Sequence, residues 1–355
     1  MKRVLVLNNY SFDSVWDEVR RGEKPDHHLY GINHFYKRGY EVNVVPFRQA
    51  SDRSLAVSLL QRSSPLPLGD LGQQAWTVNH LRKGDILYAP CQTQAHLLCL
   101  ARRVGLLRNP LICVAHHPFH RGRLANLWRP YINQVLRGCD WYPSLSAAVS
   151  HQIISAGGRS FPLAWGPDDQ FYYSTHEVGH GVIAAGRTGR DFATFAEGAS
   201  RAGITAEIVC LEADSDPLQG IPDIHLHVQP SHGYMNYVRL MELYNRARVL
   251  AIPLLPGASL SGLTSLMDAL GMGKPVVCTR HPLIDLDIEK EGIGLWVDPG
   301  DVKGWSSALH FFDNHPEEAR AMGMRGRAMV EAGFNSLGFA NQIMDLLDQV
   351  SCERH

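Results

Sequence analysis

No stretch of about 18 consecutive apolar residues occurs in the 355 residues, so the chain is not expected to span a membrane. The opening MKRVLVLNNY has basic residues and an apolar run. Asn8 and Asn9 end that run too early for a signal peptide, and a cytoplasmic location is the expectation. Charge of a dominant sign is also missing: 34 Lys and Arg against 35 Asp and Glu leave no basic field to hold nucleic acid. The seven cysteines (Cys91, Cys99, Cys113, Cys139, Cys210, Cys278, Cys352) are odd in number, scattered and without CxxC spacing. They read as reduced thiols, several inside strands, and not as a disulfide or zinc framework. After the first apolar run the chain reads LNNYSFD, with no GxGxxG, which argues against a dinucleotide dehydrogenase.

What is present fits a folded α/β protein. Hydrophobic residues make up 45% and charged residues 19%, outside the range of disordered chains. A chain of this length exceeds one ordinary core and predicts two domains. The spacing predicts strands at Arg3–Leu7, Glu41–Val45, Asp85–Ala89, Leu111–Ala115 and Asp140–Pro143. Helical segments are expected at His28–Arg38, capped by Gly39, and at Ser54–Arg62 and Gly72–Leu81. The stretch FPLAWGPDDQFYYSTHEVGHG, Phe161–Gly181, has no clear period and reads as a linker. A second βα series follows, with strands at Gly181–Ala185, Ala206–Cys210 and Ile224–Val228 and helices at Phe192–Ala202 and Met235–Ala247. Two such series suggest two Rossmann-like βαβ domains facing a central cleft, 1–165 and 166–335, with 336–355 as a terminal helix.

The densest unit is Ala251–Asp301. A buried strand, Arg248–Leu254, is stopped by Pro256 and Gly257. Leu263, Leu266, Met267 and Leu270 then predict an amphipathic helix over Ser261–Met272, ended by Gly273, Lys274 and Pro275 before a strand at Val276–Thr279. Small residues crowd the helix start, where unpaired N–H groups and the helix dipole suit an anion. Ser261, Gly262, Leu263 and Thr264 form this candidate phosphate seat. Asp268, about two turns in, is placed to accept hydrogen bonds from a ribose diol. An ordinary βαβ unit with a solvated Asp is the equal alternative.

Other candidates lie at strand ends. In GRTGRD, Arg187 and Arg190 follow the first strand of the second half, where two arginine forks suit a diphosphate. VAHHPFHRGR places His116 and His117 directly after a buried strand. Metal binding is the rival reading of these histidines. No carboxylate or cysteine sits at a useful spacing, so no metal is expected, and a His-rich structural loop is the plain alternative. The polar stretch Asn8–Asp26 is longer than a connection needs, which makes Asn9 a candidate for lining a site; His27 and His28, at the entry of the helix that follows, are candidates to meet a ligand, with surface or helix-capping histidines the commoner case.

WGPDDQF, GRTGRD and SGLTSLMDALGMGKPVVCT together resemble the retaining glycosyltransferases of the GT-B fold, specifically family 4. The resemblance implies that Arg187 and Arg190, the latter in place of a Lys, bind a donor diphosphate. Asp268 then matches the second Glu of a two-Glu motif, which binds the nucleotide ribose. The first Glu falls at Leu260 and is missing, and the backbone N–H groups of Ser261 to Thr264 take over part of its role. His116 or His117 stands for a first-domain His near the reacting carbon, and Phe334–Val350 for a helix crossing back to the first domain.

The implied reaction is hexosyl transfer from a nucleotide diphosphate sugar of the UDP-glucose type, with retention, by a metal-independent front-face route and with no cofactor. Gln229–Tyr234 would read the base. The acceptor, a small molecule, glycan or lipid-linked sugar, would meet Tyr10–Asp26 and Pro118–Arg123. Arg102, Arg103 and Arg108 on Leu97–Arg108 would suit peripheral membrane contact, though a solvated face is the commoner origin. A nucleotide-sugar epimerase and a non-catalytic sugar-nucleotide or glycan binder are the alternatives.

Overall fold

The computed structural model describes residues 2–47, 67–119, 125–173, 179–230, 236–257 and 259–353. The expected helix at Ser54–Arg62 lies outside them, as do most of the loop Pro118–Arg123 and most of the base-reading stretch Gln229–Tyr234. The chain packs as two compact units: residues 1–20, 26–165 and 336–355 form the first, and residues 21–25 and 166–335 the second.

The first unit holds a parallel sheet of β1 (Lys2–Val6), β2 (Tyr40–Val44), β3 (Ile86–Ala89) and β4 (Leu111–Cys113), in the order β2-β1-β3-β4. The run expected as a strand at Asp140–Pro143 forms isolated parallel bridges instead. Ile112 pairs Trp141, Ala115 pairs Ser144, and Ser144 pairs Pro162. Asn8–Asp26 is not all loop, because Phe12–Arg20 is an α-helix. Its signals were local: Ser11 accepts the Ser14 N–H at 3.3 Å, Asp13 and Arg20 suit the helix dipole, and Phe12 and Val15 bury one face. The single helix expected at His28–Arg38 is two 3₁₀ segments, Asp26–Leu29 and Ile32–Arg38. Tyr30 and Gly31, with φ of 48° and 83°, interrupt it. The helix Ser336–Cys352 packs in this unit, where Asp345 and Asp348 pair with Arg38 and Asp348 also accepts the Tyr40 hydroxyl at 2.5 Å.

The scattered cysteines partly converge in this unit. Cys99, Cys113 and Cys139 are buried with their sulfurs within 4.8 Å of one another. All three are free thiols, and Cys139 Sγ donates to the Leu111 and Trp141 carbonyls at 3.1 Å each. A buried free thiol can pack as a small hydrophobe and weak donor.

The second unit is a six-stranded parallel sheet of β5 (Val182–Ala185), β6 (Ala206–Leu211), β7 (Ile224–Gln229), β8 (Val249–Ile252), β9 (Val276–Thr279) and β10 (Gly294–Val297). Its order is β10-β9-β8-β5-β6-β7. The chain winds from β5 outward through β6 and β7, then crosses to β8 on the other flank of β5. The β5/β8 boundary is therefore the switch point of the sheet, and in open parallel sheets ligands bind beyond the strand ends at such a point. Helices Phe192–Ala202 and Val302–Asn314 pack together over one face, with Phe195 and Trp305 at a ring distance of 5.1 Å. Lys274 is buried and caps a different helix from the one it follows, donating to the Asn245 and Ala247 carbonyls at 3.0 and 2.8 Å.

The helix after β8 starts at Leu263, because Gly262 is left-handed at φ 81°. From Ser265 to Met272 every residue is buried, so this is a core helix on all faces and not an amphipathic one. A Cβ on Gly262 would lie 2.8 Å from Ile252 Cγ2. Gly262→Ala is expected to cost about 1–2 kcal/mol for the left-handed backbone and roughly 1–3 kcal/mol more for overpacking. Gly39, at φ 74° with no neighbour within 4 Å, carries only the backbone cost when changed to Ala. Urea unfolding of both variants tests this, and equal losses would contradict it.

Candidate functional site

The site is built at the β5/β8 boundary of the second unit. Parallel strands end on one edge, so the turn after β5 and the turn after β8 are neighbours. They are joined by backbone pairing. Arg190 and Leu254 form an antiparallel bridge, Asp191 N–H donates to the Pro253 carbonyl at 3.2 Å, and Leu255 N–H donates to Gly189 at 3.0 Å. Asp191 also caps the helix Phe192–Ala202 by accepting the Thr194 N–H. Gly189 is close enough to Ser261 that a Cβ there would touch Ser261 Oγ at 3.4 Å. The structure thus brings GRTGRD and the Gly-rich helix start together.

The backbone of the helix start is the candidate anion seat. The residue at its N-cap is Gly262, which supplies no side-chain acceptor for the first N–H groups. Ser261, Leu263 and Thr264 are partly exposed, and Leu260 is buried. The two arginines of the neighbouring turn have different situations. Arg187 is exposed. Arg190 is folded inward, donating to the Ala185 carbonyl at 3.3 Å, the Thr188 carbonyl at 3.0 Å and Ser265 Oγ at 3.0 Å. Ser265 Oγ in turn donates to Ala185 at 3.2 Å, so this serine ties the helix to the end of β5. Sequence reasoning missed Ser265. Its only signal was a hydroxyl in the first turn of an otherwise apolar helix.

Asp268 is not solvated. It is 3% exposed, and its carboxylate accepts the Tyr172 hydroxyl at 2.5 Å and lies 3.5 Å from that of Tyr244. Burial pushes its acid group up to about 7, against the pull of the two tyrosines and Arg190. Gly271 makes the arrangement possible, since a Cβ there would meet the Tyr172 ring at 2.5 Å. Arg327 holds the same segment by donating to the carbonyls of Asp169, Tyr172 and Gly271. The linker residue Tyr172 is thereby part of the second unit's core. Nothing in its local sequence marks it, because its partner lies 96 positions away.

In the first unit the candidates gather at the end of β4. Gln92, 4% exposed, accepts both the His116 and His117 N–H groups, at 2.6 and 2.8 Å, and donates to the His117 carbonyl at 2.8 Å. The sequence did not single out this clamp. Burial lowers His116 to about 4 and its Nε2 lies 2.6 Å from the Pro90 carbonyl, so the ring is neutral and donates there. Asn9 is exposed. His27 is interior: it is 1% exposed, packs edge-on against Trp165 at 5.1 Å, and burial holds it well below the usual imidazole range. The carbonyl of His28 accepts the Tyr10 hydroxyl at 2.5 Å. Asn9, His27, His28, His116 and His117 belong to the first unit, and Arg187, Arg190, Ser261 to Thr264 and Asp268 to the second.

The basic face expected on Leu97–Arg108 is partly structural. Arg102 donates to Gly138 at 2.9 Å and Asp140 at 2.5 Å and is largely buried, while Arg103 donates to Gln134. No described helix is long and apolar enough to cross a membrane.

Asp268 gives a pH signature. Its folded-state value lies above the ordinary carboxyl value of 3.8, so its stabilising share is complete below that value and is lost as pH rises through about 7. Wild-type stability should therefore fall between pH 4 and 7 relative to Asp268→Asn, which cannot ionise. Parallel unfolding curves for the two proteins across that window would refute the assignment.

No family model and no curated relative matches the sequence. Solved structures do. HepE of Anabaena, in complex with UDP and glucose, is similar with 17% identity and a TM-score of 0.69 over 98% of this chain and 100% of that one. Sucrose-phosphate synthase of Thermosynechococcus elongatus is similar with 14% identity and a TM-score of 0.71 over 99% and 100%. The α,α-trehalose 6-phosphate synthase of Burkholderia multivorans is similar with 12% identity and a TM-score of 0.68 over 100% of both chains. With two parallel-sheet α/β domains and these likenesses, the chain has the GT-B fold.

Proposed function

We propose that the protein is a retaining glycosyltransferase, of the family 4 type, that moves a hexosyl group from a nucleotide diphosphate sugar to an acceptor without a metal ion. The observation that carries this reading is the fastening of the GRTGRD turn to the Gly-rich helix start at the switch point of the second sheet. A helix N-terminus and an arginine-bearing turn on one edge are the elements needed to hold a diphosphate and stabilise it as it leaves. UDP-glucose is the proposed donor, on the strength of the fold shared with HepE, whose structures include complexes with UDP and with UDP-glucose.

In this reading Arg187, exposed on the turn, contacts the diphosphate. Arg190 stands behind it: its donors shape the turn, and its buried charge adds positive potential beneath the seat. The backbone of Ser261 to Thr264 receives phosphate oxygens, which suits a motif whose first acidic position is the apolar Leu260. Asp268 supports the seat from below through Tyr172 and reaches a ribose only where the tyrosine hydroxyl gives way. The acceptor is met by the first unit, around His116, His117 and Asn9. A neutral His116, its Nε2–H donating to Pro90, holds the end of β4 and does not take up a second proton at ordinary pH. The departing diphosphate takes the acceptor proton, as a front-face displacement requires.

Three measurements test the proposal. Thermal unfolding with millimolar UDP, GDP, ADP and TDP, with and without a divalent cation, should show a metal-independent rise with one of them. A ligand at about 100 times its dissociation constant adds roughly 2.7 kcal/mol. No shift with any diphosphate would remove the donor site. Arg187→Ala should lower kcat/KM for the identified donor by about 100-fold or more while leaving the melting temperature within about a degree. Unchanged kinetics would remove Arg187 from the mechanism. Formation of a new glycoside with free nucleotide diphosphate, and not of an isomerised sugar, separates a transferase from an epimerase or a binder.

A further inference from the structure

A buried imidazole, His281, stands beside the same turn. His281 follows β9, the strand next to β8, and is 5% exposed. The ends of these two strands are tied together where Leu254 N–H donates to Thr279 Oγ1 at 3.0 Å. His281 Nδ1 accepts the Leu283 N–H at 3.2 Å, which leaves the ring proton on Nε2. That Nε2 is buried and has no hydrogen-bond partner among the described residues. The backbone of Gly257, in the Gly-rich turn before the helix start, lies beside the ring and raises its basicity against the effect of burial. A buried donor without an acceptor is costly, and native proteins rarely leave one unanswered without a ligand or other use.

We propose that His281 Nε2–H binds an oxygen of the donor diphosphate, completing from the β9 side the seat formed by the helix start and the GRTGRD turn. The inference rests on the donor-site reading and extends it to a residue outside the resemblance. Several features converge on this group. Its tautomer is set by a backbone N–H, so the donor is prepared before a ligand arrives. Burial lowers its basicity, which makes it a neutral N–H donor that adds direction to the charge supplied by Arg187 and Arg190. Thr279 and Leu254 fix the strand ends on which it and the Gly-rich turn are mounted.

The test compares wild type, His281→Ala and His281→Gln, each checked for folding by its melting temperature. Affinities are measured by calorimetry for UDP, GDP, ADP and TDP and for the matching nucleosides. His281→Ala should weaken the diphosphate that wild type binds by roughly 10- to 100-fold, the worth of a hydrogen bond to a charged group. The matching nucleoside should bind as before. His281→Gln, whose amide N–H can occupy the Nε2 position, should recover most of the loss. Unchanged diphosphate affinity in folded His281→Ala overturns the inference while the donor site stands. Equal weakening of nucleoside and diphosphate, or no recovery with Gln, also overturns it, because either marks a packing effect. A wild type that binds none of the diphosphates removes the donor-site reading itself, and the inference with it.

Discussion

The short backbone ladder between Gly189–Asp191 and Pro253–Leu255 is the constraint on which the proposed site depends. Two turns separated by more than 60 residues are held at a fixed distance by main-chain bonds that require no particular side chain. The parallel sheet puts both turns on one edge, and the order β8-β5 puts them side by side. Once they are fastened, a helix start, two arginines and a tautomer-fixed histidine share one small region. None of these would be a persuasive anion site alone, because a surface arginine or a helix end commonly binds nothing.

Burial decides how the charged groups behave there. Arg190 and Asp268 are both interior, and each is stabilised by a different means. Arg190 is supplied with carbonyls and a serine hydroxyl, while Asp268 is supplied with phenols and raised toward neutrality. Desolvation of an isolated charge is too costly to sustain, so hydrogen bonding and a shifted titration are the physical responses. The result is a stiff underside. Tyr172, Gly271 and Arg327 fit the linker segment against the core helix, which gives the proposed anion seat a support that does not rely on ligand.

The first unit follows the same logic with other groups. Gln92 spans the end of β4 by bonding the backbone of two successive histidines, so it is backbone geometry that is fixed while His117 remains partly exposed. His116 and His27, which the sequence shows only as chemically versatile residues, become neutral rings, half-buried and interior respectively. Proton chemistry at neutral pH is not what their surroundings favour.

Local chemistry was legible where it needs only near neighbours. Apolar runs marked β1, β5, β8 and β9, and the helix Phe192–Ala202 matched its periodicity. Gly39 and Gly273 marked helix ends because a left-handed residue suits glycine at that point. The helix Phe12–Arg20 was missed because polar residues outnumber its two buried anchors, and the run at Asp140–Pro143 was overread because bridges and strands look alike in an apolar stretch. By itself the sequence determined strand and helix periodicity, the turn chemistry, and the presence of arginines and small residues at strand ends. Only the tertiary structure decided that Cys99, Cys113 and Cys139 meet, that Asp268 lies under Tyr172, and that His281 stands beside Gly257. Those outcomes depend on strand order and on packing between distant segments, and the energy of such contacts is not carried by any local pattern of residues.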